Sequence, residues 1–206
     1  MKEQKYHFPV TPQGRVSLPS PQEMTPAQRR IYDDVVKGPR GRMVGPLRAA
    51  IHSPELADRW QKLGAFLRYD TVLPHRLNEL AIIICARHWN SDVEWAIHSK
   101  EAAKGGLSAS VIASIAAGED VAFADIAEQE IFDFTQQLLE FGQVSDEIYS
   151  RVKTRWSDQG IVELTALVGY YSMVAMMLNA HLVPIPDGEG PGMQQLTRLG
   201  VSACQP

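Results

Sequence analysis

Glu94 and His98 stand four residues apart in the stretch Asn90-Ser91-Asp92-Val93-Glu94-Trp95-Ala96-Ile97-His98. At helical spacing the two side chains share a face and can touch. A carboxylate that orients an imidazole selects its tautomer and steadies its protonated form, a small and common unit of acid–base chemistry. The same residues also fit an ordinary helix start. Ser91-Asp92-Val93-Glu94 matches a capping box, in which the serine hydroxyl accepts from the Glu94 backbone N–H and the glutamate reaches back to the cap. On local pattern alone this structural account is favoured, and His98 is then a plain helix histidine. A third candidate, Glu79, falls inside an apolar segment, where a carboxylate needs a partner or a proton. A salt bridge to Arg76, or a solvated place in the first helical turn, would serve it equally well.

The rest of the chain must position these groups. Its 206 residues suit one domain with length left over for arms. Apolar residues make up 45% and charged residues 21%, an ordinary globular mixture. A net charge of −4 without any Lys/Arg run argues against nucleic acid as a partner. Cys85 and Cys204 are the two cysteines, and they form no CxxC pair. That excludes a disulfide framework and a cysteine-rich zinc site, and it fits a reducing, cytoplasmic setting. The opening MKEQKYHFPVTPQGRV has no apolar run of the kind a secretory signal needs. The apolar run from Ile161 to Val183 carries Glu163, Asn179 and His181 and lacks a basic flank. It reads as a helix buried in a core or an oligomer interface and not as a membrane span. The loop Gly41-Arg42-Met43-Val44-Gly45-Pro46 lacks the Lys-Ser/Thr ending of a phosphate loop, so no nucleotide is expected there.

Residues 1–24 hold Pro9, Pro12, Pro19 and Pro21 and predict an extended arm. Thr25-Pro26-Ala27-Gln28 starts a helix that runs to Gly38-Pro39, with threonine as cap and proline at the first helical position. A short helix over Leu47–His52 follows. Ser53-Pro54-Glu55 then caps one in which Leu56, Trp60, Leu63 and Leu67 repeat at helical intervals. His75 to Trp89 is apolar on every face and predicts a central helix. The helix with Glu94 and His98 stops at Gly105-Gly106, and Ser108 starts another that ends at Gly118. Phe123–Phe141 is amphipathic, with Ile126, Ile131, Phe134, Leu138 and Phe141 as its inner residues. Ser145 caps a helix ending near Trp156, and Ser157 or Asp158 caps the long apolar one. After Pro184 the chain is irregular. No stretch alternates as a strand would, so the fold expected is all-α, with roughly eight helices over 25–183 between arms at 1–24 and 184–206.

One combination of these parts resembles a known family. HRLNELAIIICARHWNSDVEWAIHSKEAAKGGLSASVIASIAAG is similar to the carboxymuconolactone decarboxylase family, which includes the alkylhydroperoxidase D-like proteins. The shared plan is a basic residue and Glu before an apolar helix, a Glu-x-x-x-His helix, then Ala-x-x-x-Gly-Leu-Ser. Here it reads Arg76, Glu79, Glu94, His98, Ala103, Gly106, Leu107 and Ser108, and the likeness extends over most of 40–183. The peroxidase branch carries Cys-x-x-Cys-x-x-x-His, whose cysteines fall here on Ser91 and Glu94. Neither supplies the sulfur that attack on a peroxide needs. The resemblance therefore implies an alkylhydroperoxidase D-like helical bundle with decarboxylase-type chemistry on a carboxy-lactone or related small organic acid, without metal or organic cofactor. In it His98 delivers the proton, Glu94 orients the imidazole and raises its pKa, and Glu79 is a second acid–base group or a buried partner. Arg68, Arg76 and Arg87 are candidates for the substrate carboxylate, with Ser91 and Trp95 beside them. The resemblance also implies a homo-oligomer. Two other readings stay open: Glu79, Glu94 and His98 holding a divalent metal with His88 or a neighbouring subunit, or a non-catalytic helical oligomer whose Glu94–His98 pair is structural.

Overall fold

Eight α-helices and no strand occur among the residues that the computed structural model describes, 14–43, 45–187 and 193. They are α1 Pro26–Lys37, α2 Pro46–Ala50, α3 Pro54–Tyr69, α4 His75–His88, α5 Asp92–Lys104, α6 Ala109–Ala117, α7 Ile126–Phe141 and α8 Asp146–His181. Their starts follow from side chains that relieve orphaned backbone donors. The capping box at Thr25 forms in full, and Ser108 accepts from the Val111 N–H. Asp125 accepts from the Ala127 N–H, which starts α7 at Ile126, three residues after the expected Phe123. Gly118 ends α6 in the left-handed region, at φ 70°. The expected break before the long apolar helix takes the form of a kink inside α8. Ser157 sits there at φ 64° and ψ −177°, joining two helical runs.

At Ser91 the expectation fails in part. Ser91 takes the cap position of α5, but its hydroxyl makes no capping bond and is buried without a partner. The capping box is therefore not formed: Ser91 and the Glu94 carboxyl are both buried, and neither makes a capping bond to the helix start.

The centre of the molecule is α4. Leu77, Leu80, Ala81, Ile82, Ile83 and Ala86 are all shielded from solvent, and α5, α7 and α8 pack around them. Each large aliphatic side chain buried there stabilises the fold by about 1.5–3 kcal/mol. Polar contacts between elements fix the registry. Arg76 reaches from α4 to Asp125 (2.7 Å) and Glu128, and Arg155 of α8 reaches Glu130 of α7 (2.6 Å). The Glu163 carboxylate accepts from the Val72 N–H at 2.8 Å and pins the α3–α4 connection to α8.

Four residues expected inside are outside: Leu56, Leu63, Ile126 and Phe141 are 45–67% exposed. The buried stripe of α3 is Ala57, Trp60, Gly64 and Leu67, and that of α7 centres on Ile131, Phe134 and Thr135. In α3 the small residues Ala57 and Gly64 allow the closer helix contact, which rotates the stripe away from Leu56 and Leu63. By length and composition α8 could cross a membrane, but 56% of its most apolar window is buried within the molecule. Residues 14–24 contain no helix. Residues 1–13, most of the expected arm at 184–206, and Cys204 lie outside the described residues.

Candidate active site

Glu79 and His98 meet where α4 and α5 face one another. The Glu79 Oε2 and His98 Nδ1 atoms are 2.7 Å apart, with Glu79 fully buried and His98 only 7% exposed. The second carboxylate oxygen, Oε1, accepts from Nε of Arg68 at 3.1 Å, and His75 Nε2 lies 3.8 Å away. Arg68 comes from the last turn of α3 and also faces Glu101 at 4.0 Å. The imidazole also meets the Tyr171 ring edge-on, centroid to centroid 5.1 Å, and Tyr171 in turn meets Tyr170 at 5.3 Å.

The carboxylate on the imidazole is thus Glu79, in place of the Glu94 that the spacing suggested. Residues i and i+4 of one helix lean the same way along its axis, whereas a residue on the facing helix points at the ring. Nor does Arg76 pair with Glu79, since it is held on α7 by Asp125 and Glu128.

Charge follows from this geometry. Burial alone would raise the Glu79 carboxyl, yet the groups that face it, His98 first and then Arg68 and His75, hold it below the ordinary value. Burial lowers His98, and Arg68 and Arg40 push the same way against the pull of Glu79. The consistent state near neutral pH is a carboxylate beside a neutral imidazole. Nδ1–H then donates to Glu79, and Nε2 is the lone-pair nitrogen. Glu94 behaves differently. It is 1% exposed, neither of its oxygens has a hydrogen-bond partner, and burial pushes it well above the usual carboxylate range. The Ser91 hydroxyl beside it opposes that rise and the Glu79 charge adds to it. Glu94 therefore carries its proton, one helical turn before His98 on α5.

Of the other residues expected at the site, the structure brings only Arg68 to the pair. Arg87 donates from Nη1 to the Ala116 carbonyl at 3.1 Å and from Nη2 to Asn90, at the far end of α4. Trp95 packs into the core, and Ser91 adjoins Glu94. His88 packs edge-on against Trp89. No group of three or more His, Cys, Asp or Glu suited to a metal occurs among the described residues. Arg68 also places a fixed positive charge on the oxygen of Glu79 that a cation would use. Cys85 is fully buried and burial pushes its thiol well up, so it offers no thiolate. Sequence reasoning missed Arg40, Tyr170 and Tyr171. Arg40 sits in a Gly-Pro-Arg-Gly loop with no motif around it, and the tyrosines read as core. Two cavities lie elsewhere, one at Arg15, Arg48 and Pro184 and one of about 170 Å³ at Arg87, His88 and Phe132.

The chain matches no known protein-family model and no curated protein sequence. Solved structures do match. An uncharacterised peroxidase-related protein with an alkylhydroperoxidase AhpD core, from Ralstonia eutropha JMP134, superposes with a TM-score of 0.71 at 14% identity. The match covers 88% of this chain and 95% of that one. An uncharacterised peroxidase-related protein from Silicibacter sp. TM1040 gives a TM-score of 0.70 at 11% identity, over 87% and 95% of the two chains. The chain has the alkylhydroperoxidase D-like fold.

Proposed function

We propose that this protein is a cofactor-independent acid–base enzyme acting on a small organic acid or lactone, with His98 as its proton-transfer group. The observation that carries this reading is the 2.7 Å contact between His98 Nδ1 and Glu79 Oε2, backed by Arg68 on the other carboxylate oxygen. A buried carboxylate that fixes one imidazole nitrogen leaves the other directed to a single task, and its charge steadies the imidazolium that forms when Nε2 takes a proton. The peroxidase-related names of the structural neighbours are not carried over. Ser91 and Glu94 occupy the positions where thiol peroxidases of this fold class have cysteines, and Cys85 is sealed and protonated.

The finer proposal is a decarboxylase of the carboxymuconolactone type. The bond to the carboxylate carbon breaks, CO2 leaves, and its electron pair delocalises into the conjugated lactone carbonyl. His98 Nε2 first takes a proton from solvent, the Glu79 carboxylate steadying the imidazolium, and then delivers it to the carbon that CO2 has left. The competing reading is a purely structural pair, which the low exposure of His98 favours. Turnover of carboxymuconolactone by the purified protein and by His98→Ala, both verified as folded by circular dichroism, separates the two. Activity that collapses in the variant supports the enzyme. A folded wild type without turnover removes the substrate assignment.

A further inference from the structure

Gly64 of α3 marks the place from which the inference starts. A Cβ there would lie 2.0 Å from the Tyr170 hydroxyl oxygen and 2.5 Å from Nη2 of Arg40. Phenol and guanidinium are thus both folded into the space the absent side chain leaves. The phenol is satisfied, since its hydroxyl donates to the Trp60 carbonyl at 3.3 Å. The guanidinium is poorly served: Arg40 Nε and Nη2 are buried with no acceptor at full hydrogen-bond geometry, and the Tyr170 hydroxyl is the neutral polar group beside them. An arginine drawn into a protein ordinarily has its fork filled by a carboxylate or phosphate, because buried donors without acceptors are costly.

The charges around His98 make the same point. Arg68 is offset by Glu79. Glu94, His98 and the two tyrosines are neutral, and Arg40 is a cation without a carboxylate partner among the described residues. Tyr170, beside the guanidinium, meets Tyr171 edge-on, and Tyr171 meets His98 edge-on. None of Arg68, Arg76 and Arg87 offers this combination, since each already has acceptors on its guanidinium.

We propose that Arg40 binds the carboxylate of a small planar organic acid whose reacting carbon lies at His98. The assignment rests on the acid–base reading of the Glu79–His98 pair and names the anchor that reading lacks. The fork of Arg40 takes the anion, and the tyrosine rings form the wall along which the ligand lies. Gly64 is the residue that lets the guanidinium reach this depth.

Isothermal titration of the full chain with 2-furoate, a flat five-membered-ring carboxylate, tests it, with the neutral 2-furamide as the matched control. The expected result is binding of 2-furoate to the wild type and at least tenfold weaker binding of the amide. Arg40→Gln should lose at least tenfold in 2-furoate affinity, Arg40→Lys should fall between the two, and the surface variant Arg59→Gln should match the wild type. Arg40→Lys keeps the charge and serves if Arg40→Gln does not fold. Equal affinity in wild type and both Arg40 variants, equal binding of acid and amide, or no 2-furoate binding by the wild type would each overturn the proposal. Because binding is read without turnover, the two readings fail separately. Arg40-dependent binding without any lactone turnover leaves the anion anchor and removes the enzyme. His98-dependent turnover with binding indifferent to Arg40 does the reverse.

Discussion

At the scale of single residues, Glu79 and Glu94 are two buried carboxyls with opposite states. Glu79 is ionised because Arg68 and His98 meet its oxygens, and Glu94 is protonated because it is buried with no cation on its oxygens. Glu79→Gln should keep the packing and lose the chemistry. Arg68 can only donate, so the amide oxygen must face it, and the amide NH2 then donates to His98 Nδ1. That forces the proton onto Nε2, the wrong tautomer for a base. The matching change in a serine-protease triad lowers kcat about 10⁴-fold, and a loss of at least about 10³-fold is expected here, read from steady-state kinetics. Glu94 makes a claim on stability instead. Its folded-state pKa lies above its unfolded value, so above the ordinary value of 4.5 the native chain binds a proton that the unfolded chain has released. Wild-type stability from this group therefore falls as pH rises, by up to about 1.4 kcal/mol per pH unit. Glu94→Gln removes the dependence, while the opposite contribution of His98 is common to both proteins. Urea unfolding from about pH 5 to 8 should show the variant gaining on the wild type steadily. Parallel curves would mean that Glu94 is ionised in the fold.

At the scale of elements, α3 and α8 are fitted to each other through Gly64. Alanine there would drive a methyl carbon into the Tyr170 hydroxyl and the Arg40 guanidinium. Gly64→Ala should cost about 1–3 kcal/mol as an overpacking change, measured as a lowered urea midpoint. A helical glycine with open space would instead gain from the same substitution. Elements were legible in the sequence where the cause is local: the Thr25 box, the Ser108 cap and the glycine stop at Gly118 need only neighbouring residues. The Glu79–His98 pair was half legible. Both residues stood out, but their pairing depends on how α4 faces α5, which no spacing within one helix encodes. Leu56 and Leu63 misled for a related reason. Periodicity finds a hydrophobic face, while the small residues Ala57 and Gly64 decide which face is approached. Arg40 left no signal, because a loop arginine acquires meaning only from what it reaches.

At the scale of the whole molecule, α8 leaves one face uncovered. Val162, Thr165, Ala166, Gly169, Met173 and Met176 are exposed in line, and Glu163, the one charged residue between Ile161 and Ala180, points inward. A monomer surface rarely carries so long an uncharged stripe. Gly169 has open space around its Cβ position within the protomer, although a mid-helix glycine costs about 0.5–1 kcal/mol relative to alanine. Close approach of a second chain explains both features, and a homo-oligomer built through α8 is proposed. Light scattering on a sizing column should give an assembly for the wild type and a smaller species for Met176→Glu with unchanged helicity. A monomeric wild type would contradict it.

The most direct test of the Glu79–His98 account is nitrogen NMR of the protein with ¹⁵N-labelled histidine, followed through neutral pH. The expected spectrum shows His98 as a neutral imidazole with the proton on Nδ1 and a bare Nε2, reversed in Glu79→Gln. An imidazolium at neutral pH, or a proton on Nε2 in the wild type, would contradict the assignment of His98 as the base.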